Sequence, residues 1–280
     1  MTRVGYKDWL ELNLTKGDPD NFVNTFVPTF NLSNPVPILP FQDAADATAK
    51  LIAKQYDNLY LSLSGGLDSE FVAKVLIRNQ IDFVPVILLA PWNLVESWYA
   101  FKFCDENNLQ PKILDYTGSS SYHTLIKKMM LYSVKLQLPI WITTVPLIIA
   151  DEIGNGHLIN GNGEIFYDSK SYNEPTGELL NFVCYNHWLE IEHGNRHPGA
   201  FFSYTPELFR AGIADIDITK NSQQAKSQLY QVPFRPKIHN DMFGYYPNHA
   251  LDTTINNLRT KMPGIKHWRI QRNNLLSRLT

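Results

Sequence analysis

Between residues 43 and 55 the apolar positions Ala44, Ala45, Ala47, Leu51 and Ile52 recur at helical spacing, which predicts a helix ahead of the first strong strand at 58–63. A second helix is expected over about 68–79, where Phe71, Val72, Val75 and Leu76 fall on one face. Residues 83–89 form a continuous apolar run, the kind that is buried on both faces of a parallel sheet. A helix over about 95–107 and a strand at Lys112–Asp115 continue the alternation. This β-α-β-α-β rhythm predicts an α/β fold with a doubly wound, mostly parallel sheet. A long helix over about 121–137, a proline-punctuated apolar segment at 138–150 and a short buried strand at 157–159 follow.

On either side the pattern loosens. Residues 1–42, with Pro28, Pro35, Pro37, Pro40 and several Asn, read as an irregular, extended lead-in draped over a core that is built later. Residues 43–170 hold the α/β unit, and 171–280 read as an α-rich C-terminal portion, rich in Asn, Tyr and His, packed on the first.

The formal net charge of -2 over 280 residues does not advertise a nucleic-acid or anionic-membrane partner. One segment departs from this balance. Arg259, Lys261, Lys266, Arg269, Arg272 and Arg278 follow Asp252 with no acid among them, as a solvated helix face or as an RNA-contacting tail with Trp268 available to stack. The apolar stretches at 83–92 and 138–150 are too short and interrupted to span a bilayer, and the charged N-terminus reads as neither signal nor anchor, so a cytoplasmic protein is expected. Cys104 and Cys184 lie outside any CxxC spacing and read as ordinary thiols. His187, Glu190, His193 and His197 lack the HxxEH spacing of a metal site and are expected to be surface or substrate-pocket groups.

The chemistry concentrates where the first strand meets its helix, at Ser64-Gly65-Gly66-Leu67-Asp68-Ser69. A buried strand that runs through Gly-Gly into a helix gathers backbone N–H groups and the positive end of the helix dipole at one point, which binds phosphate. Gly65 and Gly66 allow the tight bend, and the Ser64 and Ser69 hydroxyls add donors. The spacing and the lysine of GxxxxGK[ST] are missing, so γ-phosphoryl transfer is not expected. Asp68 would repel a phosphate unless a cation lay between them, so its expected role is to hold Mg²⁺ against the polyphosphate.

This string resembles the SGGxDS motif of the PP-loop ATP pyrophosphatases, a family that includes asparagine synthetases, β-lactam synthetase, GMP and NAD synthetases and several tRNA-modifying thiolases. The similarity looks closest to the synthetase domain of the asparagine synthetases and covers roughly residues 58–170. Asn93, Glu96, Tyr99 and Ala100 look like the family's next helix, and Val145-Pro146-Leu147 resembles the segment before its second motif. That motif, SGDGADE in the family, appears here as Asn160-Gly161-Asn162-Gly163-Glu164, with Asn162 in place of the first Asp and a single acid at the end.

The resemblance implies that ATP is split between the α and β phosphates and that a substrate, expected to be a carboxylate, is activated as its adenylate and passed to a nitrogen nucleophile. It implies catalytic roles for Asp68, Glu164 and Lys237, with Asp68 and Glu164 as Mg²⁺ ligands and Lys237, beside Arg235, as the late lysine that meets developing negative charge. Ser64, Gly65, Gly66, Asp68, Ser69, Leu89 and Gly161 are the expected nucleotide contacts. The common asparagine synthetases begin with a glutaminase domain whose nucleophile is an N-terminal Cys. Thr2 stands here, so free ammonia, another amine or a separate glutaminase is the expected nitrogen source. Two other readings stay open: a PP-loop enzyme that modifies tRNA or a nucleobase, and a nucleotide-binding protein that has lost catalysis with the acid at Asn162.

Overall fold

The computed structural model describes residues 2–7, 9–15, 25–30, 38–136, 144–163, 166–168, 171–173, 185–186, 189–190 and 194–234. The N-terminal segment is not the irregular lead-in expected from its prolines. Strands β1 (Thr2–Lys7), β2 (Leu10–Thr15) and β3 (Thr25–Phe30) form an antiparallel sheet in that order. The alternation of Leu10, Leu12 and Leu14 with Glu11, Asn13 and Thr15 sets a period of two that outweighs the local breakers. Pro28 lies opposite Leu12 on β3, at the edge of this sheet, where a missing N–H is tolerated. Trp9 and Leu10 anchor the sheet in the core, with the Trp9 ring 5.3 Å from that of Phe209.

Helix α1 (Phe41–Gln55) precedes β4 (Leu59–Ser62), α2 (Leu67–Arg78), β5 (Val84–Leu89), α3 (Leu94–Glu106), β6 (Lys112–Asp115) and α4 (Ser119–Lys135). Within the apolar segment 138–150, the described part starts a helix, α5 (Val145–Ile153), and β7 (His157–Asn160) follows. The ribbon of β8 (Phe166–Asp168) and β9 (Ser171–Asn173) comes next. β10 (Gly199–Ala200), α6 (Pro206–Asp215) and α7 (Ser222–Tyr230) complete the described elements. Thus the portion after residue 170 contributes a strand to the central sheet as well as helices.

The central sheet is parallel throughout, in the order β10-β7-β4-β5-β6. Its strands are apolar on both faces because helices cover both. Leu61, Ile87 and Ile159 join the layer of α1 and α2, whereas Val86, Leu88 and Leu158 join that of α4 and α5. From β4 the chain builds outward through β5 to β6, then returns to place β7 on the other side of β4. The strand order therefore reverses at β4. Loops that leave the carboxyl ends of β4 and β7 diverge from one crevice, the place where ligands sit in open α/β sheets. Among the described residues, no helix is long and apolar enough to cross a membrane.

Candidate functional site

The loop 64–69 leaves β4 at this crevice. Leu63 still donates its N–H to the Val86 carbonyl at 2.9 Å, so sheet pairing holds the strand to within a residue of the turn. Gly65 then takes φ +90, and α2 begins at Leu67 with Gly66 as its N-cap and no side-chain cap. The first helical bond runs from the Glu70 N–H to the Gly66 carbonyl at 3.1 Å. The N–H groups of Leu67, Asp68 and Ser69 thus precede the helical ladder, in the uncapped first turn that favours anions.

Two serines brace the turn. Ser69 Oγ lies 3.1 Å from Ser64 Oγ, accepts the Ser64 N–H at 3.2 Å and donates to the Gly66 carbonyl at 3.2 Å. Ser64 Oγ also accepts the Gly66 N–H at 3.3 Å. Gly65 has a second duty beyond the bend expected of it. A Cβ there would stand 2.0 Å from the Glu96 carbonyl oxygen, so the missing side chain is what lets α3 pack onto the turn. Leu89, at the end of β5, gives its carbonyl to the Tyr116 N–H at 2.8 Å and, partly buried, packs against the core layer that contains α2.

The second loop touches the first. A Cβ on Gly161 would lie 2.7 Å from Ser69 N and 2.8 Å from the Asp68 carbonyl carbon, so the two turns meet backbone to backbone. Asn162 donates its N–H to Asn160 Oδ1 at 3.0 Å, and its carbonyl accepts the Phe202 N–H at 3.2 Å. The Asn160 carbonyl accepts the Phe201 N–H at 3.0 Å. The loop is thereby pinned to the segment after β10. Glu164, Lys237 and Arg235 lie outside the described residues, as does the basic segment after Asp252.

Asp68 has partners that local sequence reasoning missed. Lys226 Nζ lies 3.0 Å from its Oδ1 and 3.2 Å from its Oδ2, and the Tyr230 hydroxyl donates to Oδ1 at 3.0 Å. Both come from α7, four residues apart and hence on one face. The Lys226 side chain is 2% exposed and that of Asp68 is 27% exposed. Burying an ammonium is costly unless it is paired, so this carboxylate fixes Lys226 against the turn. A sequence signal existed: the helix SQQAKSQLY contains a lysine with no acid to pair with along the helix. Tyr230 extends the contact into an aromatic cluster, stacking on Phe71 at 4.6 Å and on Phe202 at 5.3 Å.

The donor set can be tested against the expected Mg²⁺. Among the described residues, no group of three or more His, Cys, Asp or Glu side chains is arranged to hold a metal ion. Asp68 Oδ1 accepts two hydrogen bonds and Oδ2 one, which leaves an acceptor position on Oδ2. Mg²⁺ is commonly held by one or two carboxylates together with substrate phosphates, and a single Asp68 oxygen fits that arrangement.

The histidine segment resolves differently from expectation. His197 is neither a surface nor a pocket group: it is 3% exposed, and its Nδ1 accepts the Leu158 N–H at 2.8 Å. Asn186 brackets its backbone, with Oδ1 accepting the His197 N–H and Nδ2 donating to the His197 carbonyl, each at 2.9 Å. Burial, and then the neighbouring His157, pull its pKa down to about 4. Glu190 pairs with Arg196, and His187 and His193 lie outside the described residues. Cys104 is buried and its thiol is pushed up to about 11 by desolvation, as befits an ordinary core thiol.

No protein-family model matches the chain, and no curated protein matches it in sequence. Among solved structures, it is similar to the NH3-dependent NAD synthetase from Campylobacter jejuni subsp. jejuni NCTC 11168 in complex with the nitrate ion. That likeness has 15% identity and a TM-score of 0.36, and covers 84% of this chain and 93% of the other. It is also similar to the NMN synthetase from Francisella tularensis, at 9% identity and a TM-score of 0.34, over 71% of this chain and 99% of the other.

Proposed function

We propose that this chain is an AMP- and pyrophosphate-forming ligase of the PP-loop type, which adenylates a substrate carboxylate with ATP and passes the acyl group to a nitrogen nucleophile. One observation carries the reading: the Ser64–Ser69 turn stands at the reversal of strand order, with the uncapped N-terminus of α2 behind it and the buried Lys226 ammonium on Asp68.

In this reaction an oxygen of the substrate carboxylate attacks the α-phosphorus, and the bond from that phosphorus to the bridging oxygen breaks as pyrophosphate leaves. The nitrogen nucleophile then adds to the acyl carbon and AMP departs. No protein nucleophile is required. The N–H groups of the first turn of α2 hold phosphate oxygens, and the Ser64 and Ser69 hydroxyls turn from each other toward them. Lys226 sets positive charge beside the leaving pyrophosphate, the role that the family resemblance had assigned to Lys237. Asp68 and Glu164 would hold Mg²⁺, which would neutralise charge on the polyphosphate. The turn aligns attacking oxygen and leaving group. Free ammonia, another amine or a separate glutaminase is the nitrogen source in this reading.

Exchange of labelled pyrophosphate into ATP, run with a panel of carboxylic acids, tests it. Acid-dependent exchange, with AMP and pyrophosphate as products of net turnover, is the expected result. ADP and phosphate as the main products would overturn it. Asn162, standing where the family has an acid, favours a second reading in which the chain binds nucleotide without turnover. Binding of ATP with no exchange for any acid or amine would select that one.

A further inference from the structure

A pocket opens between α6 and α7, beside the phosphate-binding turn. Phe202 and Leu208 are buried in its wall, and Ile213, Ile216 and Leu229 are partly exposed there. Two further lining residues already belong to the candidate site. Lys226 and Tyr230 line the pocket, and the polar end of each lies 3.0 Å from Asp68 Oδ1. Gly163 lines it as well, from the loop after β7. The pocket is thus one side chain away from the turn at Ser64–Ser69. Apart from Lys226 and Tyr230, every lining side chain is hydrocarbon or absent, and Lys226 carries the one charge among them.

Gly212 lines the same pocket from within α6, and glycine is a poor residue for a helix interior. Its backbone is not among those with positive φ. Among the described residues, a Cβ on Gly212 would meet nothing nearer than Phe41 Cε2 at 3.6 Å, an ordinary contact. Neither the backbone nor crowding requires a glycine here. What its missing side chain provides is room in the pocket.

Resting on the adenylating reading, we propose that this pocket receives the acyl chain of the substrate, and that the substrate is a carboxylic acid with a hydrocarbon chain whose carboxylate lies at the Lys226 end. A polar chain would lose its hydration against this wall without gaining partners, whereas every buried methylene favours binding. An adenine ring would fare no better, because the polar side chains it would find, Lys226 and Tyr230, are engaged with Asp68.

Pyrophosphate exchange into ATP by the full chain, with acids chosen in matched pairs, tests this. From acetate through butanoate to 4-methylpentanoate, kcat/KM should rise about fourfold for each methylene buried. Succinate, which puts a second carboxylate on the chain of butanoate, should fall at least about tenfold below it. Gly212→Ala should lower kcat/KM for 4-methylpentanoate relative to acetate by about tenfold, through KM, because its methyl takes up the space the chain needs. Its melting temperature should equal or exceed that of the wild type, since alanine is the better helix former. In the wild-type chain, phenylacetate added with α,β-methylene ATP and Mg²⁺ should shift the Ile213 and Ile216 methyl resonances, a readout independent of turnover and of any variant. Succinate as good as butanoate, an unchanged acid profile in Gly212→Ala, or the same methyl shifts from adenosine alone would overturn the inference and leave the adenylating reading standing. Absence of exchange with every acid would remove that reading itself.

Discussion

Lys226 and Asp68 are 158 residues apart in the chain, and the ammonium of one straddles both carboxylate oxygens of the other at 3.0 and 3.2 Å. The lysine is the buried member, at 2% exposure against 27% for Asp68. The pair is therefore asymmetric: losing Asp68 strands a charge in the interior, whereas losing Lys226 leaves a carboxylate that water reaches. Asp68→Asn should accordingly destabilise the fold more than Lys226→Met, and the double variant should be more stable than Asp68→Asn alone. A coupling on the order of 2 kcal/mol is expected from urea unfolding of the four proteins. Strict additivity would mean that the two side chains do not share one electrostatic environment.

ATP with Mg²⁺ should raise the melting temperature of the wild-type chain, because a ligand that binds only the folded state stabilises it by mass action. Lys226→Met should lose most of that shift at equal nucleotide concentration, as its ammonium is the cation paired with the phosphate-binding turn. A full shift in Lys226→Met would place the nucleotide away from Asp68 and Lys226.

Three glycines separate backbone strain from close packing. Gly154 has φ +69 and ψ −112 with nothing within 4 Å of an added Cβ, so Gly154→Ala should cost only backbone strain, about 1–3 kcal/mol. Gly161→Ala sets a methyl 2.7 Å from Ser69 N and must push the two loops apart. Gly65→Ala combines φ +90 with a contact of 2.0 Å to the Glu96 carbonyl oxygen. The latter two should lose ATP binding by roughly tenfold or more, on top of an overpacking cost of about 1–3 kcal/mol. Gly154→Ala should bind ATP as the wild type does. Isothermal titration of the three side by side would decide, and intact binding in Gly161→Ala would show that the loops do not act together.

The parallel core was legible because its signals are local. The run at 83–89 announces a doubly buried strand, and the helix expected over 68–79 is found at Leu67–Arg78. The pairing of β4 with β7, which brings loops 64–69 and 160–163 together, extends that local pattern through the crossover rules of α/β sheets. What escaped is what local pattern cannot carry. The N-terminal sheet was hidden by prolines that an edge strand tolerates, as Pro28 shows. The role of Lys226 is not carried by local pattern, since its counter-charge lies 158 residues away in the chain. His197 read as a surface or pocket group because nothing in its neighbourhood of sequence reveals that its ring accepts a strand N–H.

That last contact makes the stability of the fold depend on pH. His197 Nδ1 can accept the Leu158 N–H only while it carries no proton, and burial together with His157 lowers its pKa from 6.5 to about 4. Above pH 6.5 the ring is neutral in both folded and unfolded chains, and the contribution is fully present. As pH falls from 6.5 toward 4 the unfolded chain takes up a proton that the folded chain excludes, so stability declines by up to roughly 3 kcal/mol. Below about 4 both states are protonated and this group removes nothing more. Carboxylates titrate in part of the same window, so the quantity to measure is the difference between wild type and His197→Gln in urea unfolding from pH 7 to pH 4. The variant should be less stable at pH 7 and should show a shallower decline on acidification, by about one proton between pH 6.5 and pH 4. Parallel curves would mean that His197 is not held neutral by the fold.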